Sequence, residues 1–185
     1  MRTPYKAIAA AMAFVASGLI GYGIGLVSDR PGVAPPLAST LPLARDAAIA
    51  HVVFSPEVRH PVEVGAADSQ HLVNWLSKRI GTELKAPDFT ALGFELLGGR
   101  LLSGGSGPVA QFMYQDAQAR RVTLYVRRAV AENRETAFHH ATENGVELFY
   151  WIDRDFGYAL SGQIAPGDIR RLAGAAYSQM VKPGS

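Results

Sequence analysis

Cysteine is absent from this 185-residue chain. No disulfide can staple the fold, no thiolate can hold a metal or attack a substrate, and no thiol can sense redox state. A strong excess of charge of either sign is lacking too. The chain has 18 Lys and Arg against 16 Asp and Glu. Taking Arg2, Lys6 and Arg30 from the first count and Asp29 from the second leaves 15 of each. Beyond residue 30 the chain is formally neutral, and it has no interleaved basic and aromatic patch. Both features argue against a nucleic-acid partner.

Signatures of catalysis are missing in the same way. Gly98-Gly99-Arg100 and Gly104-Gly105-Ser106-Gly107 lack the lysine and the Ser/Thr of a phosphate-binding loop and read as turns. Neither Ser106 nor Ser161 sits in GxSxG. Asp153 and Asp155 lie two apart at a hairpin tip, where turn chemistry accounts for them better than acid–base pairing. His51, His60, His71, His139 and His140 show no metal-ligand spacing. The expectation is a protein that is not an enzyme and uses no cofactor and no metal.

One long apolar run is present. Ala7 to Ser28 carries no charge, and as a helix it would extend roughly 30 Å, the thickness of a bilayer core. Arg2 and Lys6 before it predict that residues 1–6 stay in the cytoplasm and that the chain after Arg30 is exported. A cleaved signal peptide is the alternative, with small-residue cleavage sites at Val15-Ala16-Ser17 or Ala16-Ser17-Gly18, but the apolar run continues past them. The reading is therefore a single-pass inner-membrane anchor over 7–28, in contact with the lipid bilayer. Gly21 and Gly25 have the spacing that lets two such helices approach closely.

Residues 29–42 are rich in proline and small side chains and read as a semi-extended linker. Residues 43–181 then have the size of one domain. Leu43–His51 has helical periodicity; Val52–Phe54 and Glu57–Val64 read as strand, the latter an edge because of Pro61. Leu72, Leu76 and Ile80 recur every fourth residue, with Lys78 and Arg79 in the last turn and Gly81 as the stop. From Leu92 the period becomes two. Phe94–Leu102 is a strand interrupted at Gly98-Gly99, and Ser103–Pro108 is a loop. Val109–Asp116 pairs with Arg121–Arg128, and Val146–Ile152 pairs with Gly157–Ile164. Glu132–Asn144 is polar and reads as a loop with some helix or strand in it. Pro166 opens a last helix that buries Ile169, Leu172, Ala173, Ala176, Tyr177 and Met180. The expectation is an α+β domain, an antiparallel sheet with two main amphipathic helices packed on one face.

Phe149-Tyr150-Trp151 and Phe156-Gly157-Tyr158 concentrate aromatics on the last hairpin. Cross-strand and core packing explains them without a special function. The sharper reading makes Tyr150, Trp151, Phe156 and Tyr158 a partner or ligand surface.

Taken in order, VRHPVEV (58–64), HLVNWLSKRIG (71–81) with Ala86-Pro87-Asp88, GFELLGGRLL (93–102), FMYQD (112–116), RVTLYVRR (121–128) and FYWIDRDFGYALSG (149–162) form a series. Together with the preceding apolar segment, the series resembles the extracytoplasmic region of a group of proteobacterial transmembrane anti-sigma factors. The resemblance implies a periplasmic sensor domain on a single membrane helix, acting in signal transduction and transcription regulation. Members of that group carry a cytoplasmic zinc-dependent sigma-binding domain before the helix, and Met1–Lys6 with no cysteine does not supply it. A start site further upstream, a split gene and a short anchored paralogue remain open as explanations. A sigma-factor system component is a partner only through a cytoplasmic part lying elsewhere. The rival expectation is an exported envelope binding or assembly module that uses the aromatic hairpin.

Overall fold

The sheet follows from side chains that alternate between two covered faces. The computed structural model describes residues 42–105, 107–129 and 138–180, all within one structural unit. Three helices, α1 (Pro42–Phe54), α2 (Ser69–Ile80) and α3 (Pro166–Met180), accompany seven strands. The strands are β1 (Val64–Gly65), β2 (Phe94–Gly104), β3 (Gly107–Asp116), β4 (Arg121–Arg128), β5 (His139–Glu143), β6 (Val146–Asp153) and β7 (Phe156–Gly162). All pairings are antiparallel, in the order β1-β2-β3-β4-β7-β6-β5. The class is α+β.

Val122, Leu124 and Val126 of β4 point to one face, where Leu72, Leu76 and Ile80 of α2 and Ile169, Leu172 and Ala173 of α3 cover them. Tyr125 points to the other, where Leu43, Ala44, Ala47 and Ala48 of α1 pack. The two amphipathic helices do share one face, as expected. The sheet is nevertheless covered on both, because α1 lies on the opposite side. Full burial of each Leu or Val side chain contributes about 1.5–3 kcal/mol, so each face has a core of its own. The small alanines of α1 let its backbone come close to β4, β6 and β7.

Several local readings need correction. Val52–Phe54 is the last turn of α1, not a strand: Ile49, Val52 and Val53 form its exposed side. Of Glu57–Val64, only Val64 is in a strand; the Glu63 amide also bonds the Gly99 carbonyl at 3.0 Å, and the rest is irregular and bent. Glu57 Oε1 accepts the amides of Arg59 and His60 at 2.7 and 2.9 Å. Glu63 Oε2 accepts the edge amide of Leu101 at 3.0 Å. The polar stretch read as a loop with some helix or strand does contain a strand, β5, paired with β6 through Asn144-Gly145, both at positive φ. That Asn-Gly pair is the sequence signal of a two-residue hairpin turn. Gly81 ends α2 in the left-handed conformation, as expected.

Gly21, Gly25 and the apolar segment 7–28 lie outside the described residues, as do 29–41 of the linker. Among the described residues no helix is long and apolar enough to cross a membrane.

Candidate functional site

The chain between α2 and β2 must travel from the end of the helix back over the sheet, and it forms the outer wall of a cavity. Ser77 Oγ accepts the amide of Leu84 at 2.9 Å and ties down the start of this segment. Leu84 and Phe89 drop into the core. Asp88 Oδ1 accepts both the amide and the hydroxyl of Thr90, at 2.9 and 2.7 Å, closing a tight local turn. These bonds hold the Asp88 carboxyl below the usual carboxylate range. Gln179 on α3 then clamps the Asp88 backbone on both sides. Its Oε1 accepts the Asp88 amide at 2.8 Å, and its Nε2 donates to the Asp88 carbonyl at 2.9 Å. The wall is held by the protein's own hydrogen bonds.

The cavity it bounds has a volume of about 490 Å³, with Val73 of α2, Ala86, Pro87 and Phe89 of the connecting segment, and Leu96 of β2 along its sides. Tyr114 of β3 is among the lining residues. Its side chain is fully buried, with its ring centroid 4.6 Å from that of Phe89. Its hydroxyl has no hydrogen-bond partner among the described residues. Burial, and after it the charge of Asp88, raises its pKa well above the ordinary phenol value, so the group is a neutral donor. Lys85, Asp88 and Glu95 stand at the rim. A volume in this range, a mostly apolar wall and a few converging polar groups are the usual attributes of a small-molecule site.

The residues singled out by sequence do not share one surface. Trp151 and Tyr158 are stacked, ring centroids 5.2 Å apart, on the α2–α3 face, while Tyr150 lies on the α1 face. All three are buried. Neighbouring residues on one strand point to opposite sides, so Tyr150 and Trp151 separate. Phe156 is half-buried and joins Tyr158 in lining a second cavity of about 300 Å³ at the β6–β7 turn, beside Asp153, Arg154 and Asp155. Burial, with Asp153 adding to it, pushes the Tyr158 hydroxyl up to about 12.

Beneath α1, His51 Nδ1 lies 3.0 Å from Thr123 Oγ1, and Ser161 is paired across the strands with Thr123. Each is at most 2% exposed, too deep for a solute to reach. No three His, Asp or Glu residues come together in a metal-holding group among the described residues. Tyr114 was missed because a tyrosine on the core face of an alternating strand reads as packing. The available signal was that a buried phenol hydroxyl needs a partner. Comparison of the sequence with protein-family models and with curated proteins gives no match.

Proposed function

We propose that residues 43–181 form a non-catalytic sensor domain of a membrane-anchored transcription regulator of the anti-sigma-factor kind, with the cavity beside Tyr114 as its sensing site. The anchor over 7–28 holds the domain on the periplasmic side, and a sigma-factor system component is a partner only where a cytoplasmic part exists. The observation that carries the reading is the cavity of about 490 Å³, one wall of which Gln179 ties to α3. A fixed wall lowers the ordering cost of binding. No histidine lines the cavity to activate its one serine, Ser69, so the lining suits recognition better than turnover. An envelope assembly module working through the last hairpin has less support, since Tyr150, Trp151 and Tyr158 are buried.

The test is transcriptional. Deleting the gene should alter one discrete set of transcripts in the host, and a chromosomal Ala86→Trp substitution that fills the cavity should shift the same set. Unchanged transcripts in both strains overturn the proposal.

A further inference from the structure

The two edges of the sheet are built differently. An edge strand leaves a row of backbone N–H and C=O groups without a ladder partner, and proteins blunt such rows with short strands, bulges, prolines or charged side chains. At one edge β1 is only two residues long. Beside it the chain satisfies β2 itself. The Glu63 amide donates to the Gly99 carbonyl at 3.0 Å, and Glu63 Oε2 accepts the Leu101 amide at 3.0 Å. At the other edge β5 runs five residues in unbroken register with β6. It has no proline, no lysine and no bulge. The two-residue Asn144-Gly145 turn makes Glu143 and Val146 a hydrogen-bonded pair. Alternation then turns the backbone groups of His139, Ala141 and Glu143 toward β6, and those of His140 and Thr142 outward. Among the described residues no strand pairs with this outer side. α1 and α3 are centred over β6 and β7, which leaves the outer side of β5 beyond them.

The sequence of β5 suits a second copy of itself. Antiparallel pairing about a two-fold axis at Ala141 sets His140 opposite Thr142 of the second copy, so the outward N–H and C=O groups of both bond in each direction. His139 stands opposite Glu143 of the second copy, in the pairs where side chains come closest, so no like charges oppose each other. Ala141 meets itself on the axis, and its methyl group is small enough for that approach. Moving the axis to His140 or Thr142 leaves fewer backbone groups of the strand paired. We infer that β5 is a self-association edge through which two copies join their sheets into one. The inference is independent of the sensing cavity.

The lack of native cysteine permits a direct test, disulfide trapping with diamide on the full-length protein in detergent. In this register the two copies of residue 141 lie about 4.5 Å apart, Cα to Cα, within the span of a disulfide. The two copies of residue 139 lie roughly 14 Å apart, beyond it. Ala141→Cys should therefore cross-link into a dimer at least about tenfold faster than His139→Cys, and than Ser178→Cys on the exposed side of α3. Combining His139→Cys with Glu143→Cys in one chain should restore the fast rate. Thr142→Pro and, separately, His140→Pro each remove an outward N–H and leave the bonds to β6. Either should abolish the advantage of Ala141→Cys, with circular dichroism verifying that the variants are folded. Equal rates at 141 and 178 overturn the proposal, and anchors associating through Gly21 and Gly25 alone would give that result. Cross-linking at 139 as fast as at 141 overturns the register. An advantage that survives both proline variants overturns strand pairing. None of these outcomes bears on the transcriptional test of the cavity.

Discussion

The imidazole of His51 and the hydroxyl of Thr123 meet at 3.0 Å, joining α1 to the centre of the sheet across 72 positions of sequence. Burial drives the His51 pKa from an ordinary 6.5 down to about 4, so the ring is neutral in the folded protein at pH 7. Unfolded chains take up a proton near 6.5 and the native state does not until about 4. Stability is therefore greatest above 6.5 and falls as the pH drops between those values, by about 3 kcal/mol in all. Urea unfolding at pH 7.0, 6.0 and 5.0 should show this decline, and His51→Gln, which cannot titrate, should remove most of it. An unchanged slope in the variant rules out His51 as its source. The carboxylates held low by hydrogen bonds, Glu57, Asp88 and Asp116, lose their contribution at lower pH.

Arg100 organises the bend after α1. Its guanidinium lies 4.1 Å from the centre of the Phe54 ring and donates to the carbonyls of His60 and Pro61. Arg121 holds the carbonyls of Ser55 and Glu57 from the neighbouring side. Charged hydrogen bonds and a partly desolvated cation–π contact together suggest a cost of about 2–4 kcal/mol for Arg100→Ala. Chemical denaturation measures the loss, and faster cleavage within Glu57–Val64 by a protease should accompany it. Arg100→Lys should recover only part of it, because an ammonium cannot reproduce the planar stack.

Gly98 lies opposite Gly65 where β1 pairs with β2. A side chain there would place its first carbon 2.1 Å from the Val64 carbonyl oxygen, and the residue sits at φ +144°. Alanine has to relieve both the clash and the strain. Gly98→Ala should cost about 2–3 kcal/mol and should increase amide exchange of Glu63 and Leu101, whose bonds close this edge. Unaltered exchange at both would show that β1 adjusts freely.

Gln179→Ala removes both bonds to the Asp88 backbone while leaving the core intact. Global stability should fall by no more than about 1–2 kcal/mol. Amide exchange at Asp88 and Thr90 should rise, and binding in the cavity should weaken by severalfold through lost pre-organisation. Native-like protection at Asp88 would show that the Thr90 turn alone fixes the wall.

Trp151 tests the reading of the last hairpin. Its side chain is fully buried, against Tyr158 and Phe138, at ring-centroid distances of 5.2 and 5.5 Å. Trp151→Ala should cost about 3–5 kcal/mol, read by thermal unfolding. An exposed partner surface would instead tolerate the change.

Sequence alone determined the local elements whose side-chain pattern repeats within a few residues. The four-residue spacing of Leu72, Leu76 and Ile80 settled α2, the alternation in Arg121–Arg128 settled β4, and Pro166 marked α3. A hydrophobic period reports that a face is buried but not what buries it. Only the tertiary structure decided that α1 covers the face opposite α2 and α3, since the tolerance of its alanines for close approach depends on the strands they meet. Tertiary structure also turned Val52 and Val53 outward on a helix, and placed Tyr150 and Trp151 on different sides of one strand. The cavity was decided the same way. Tyr114, Asp88 and Gln179 come from a strand, a connecting segment and the last helix, and the Asp88–Gln179 contact spans 91 positions. No local pattern records such a meeting, because long-range contacts are set by how the layers pack.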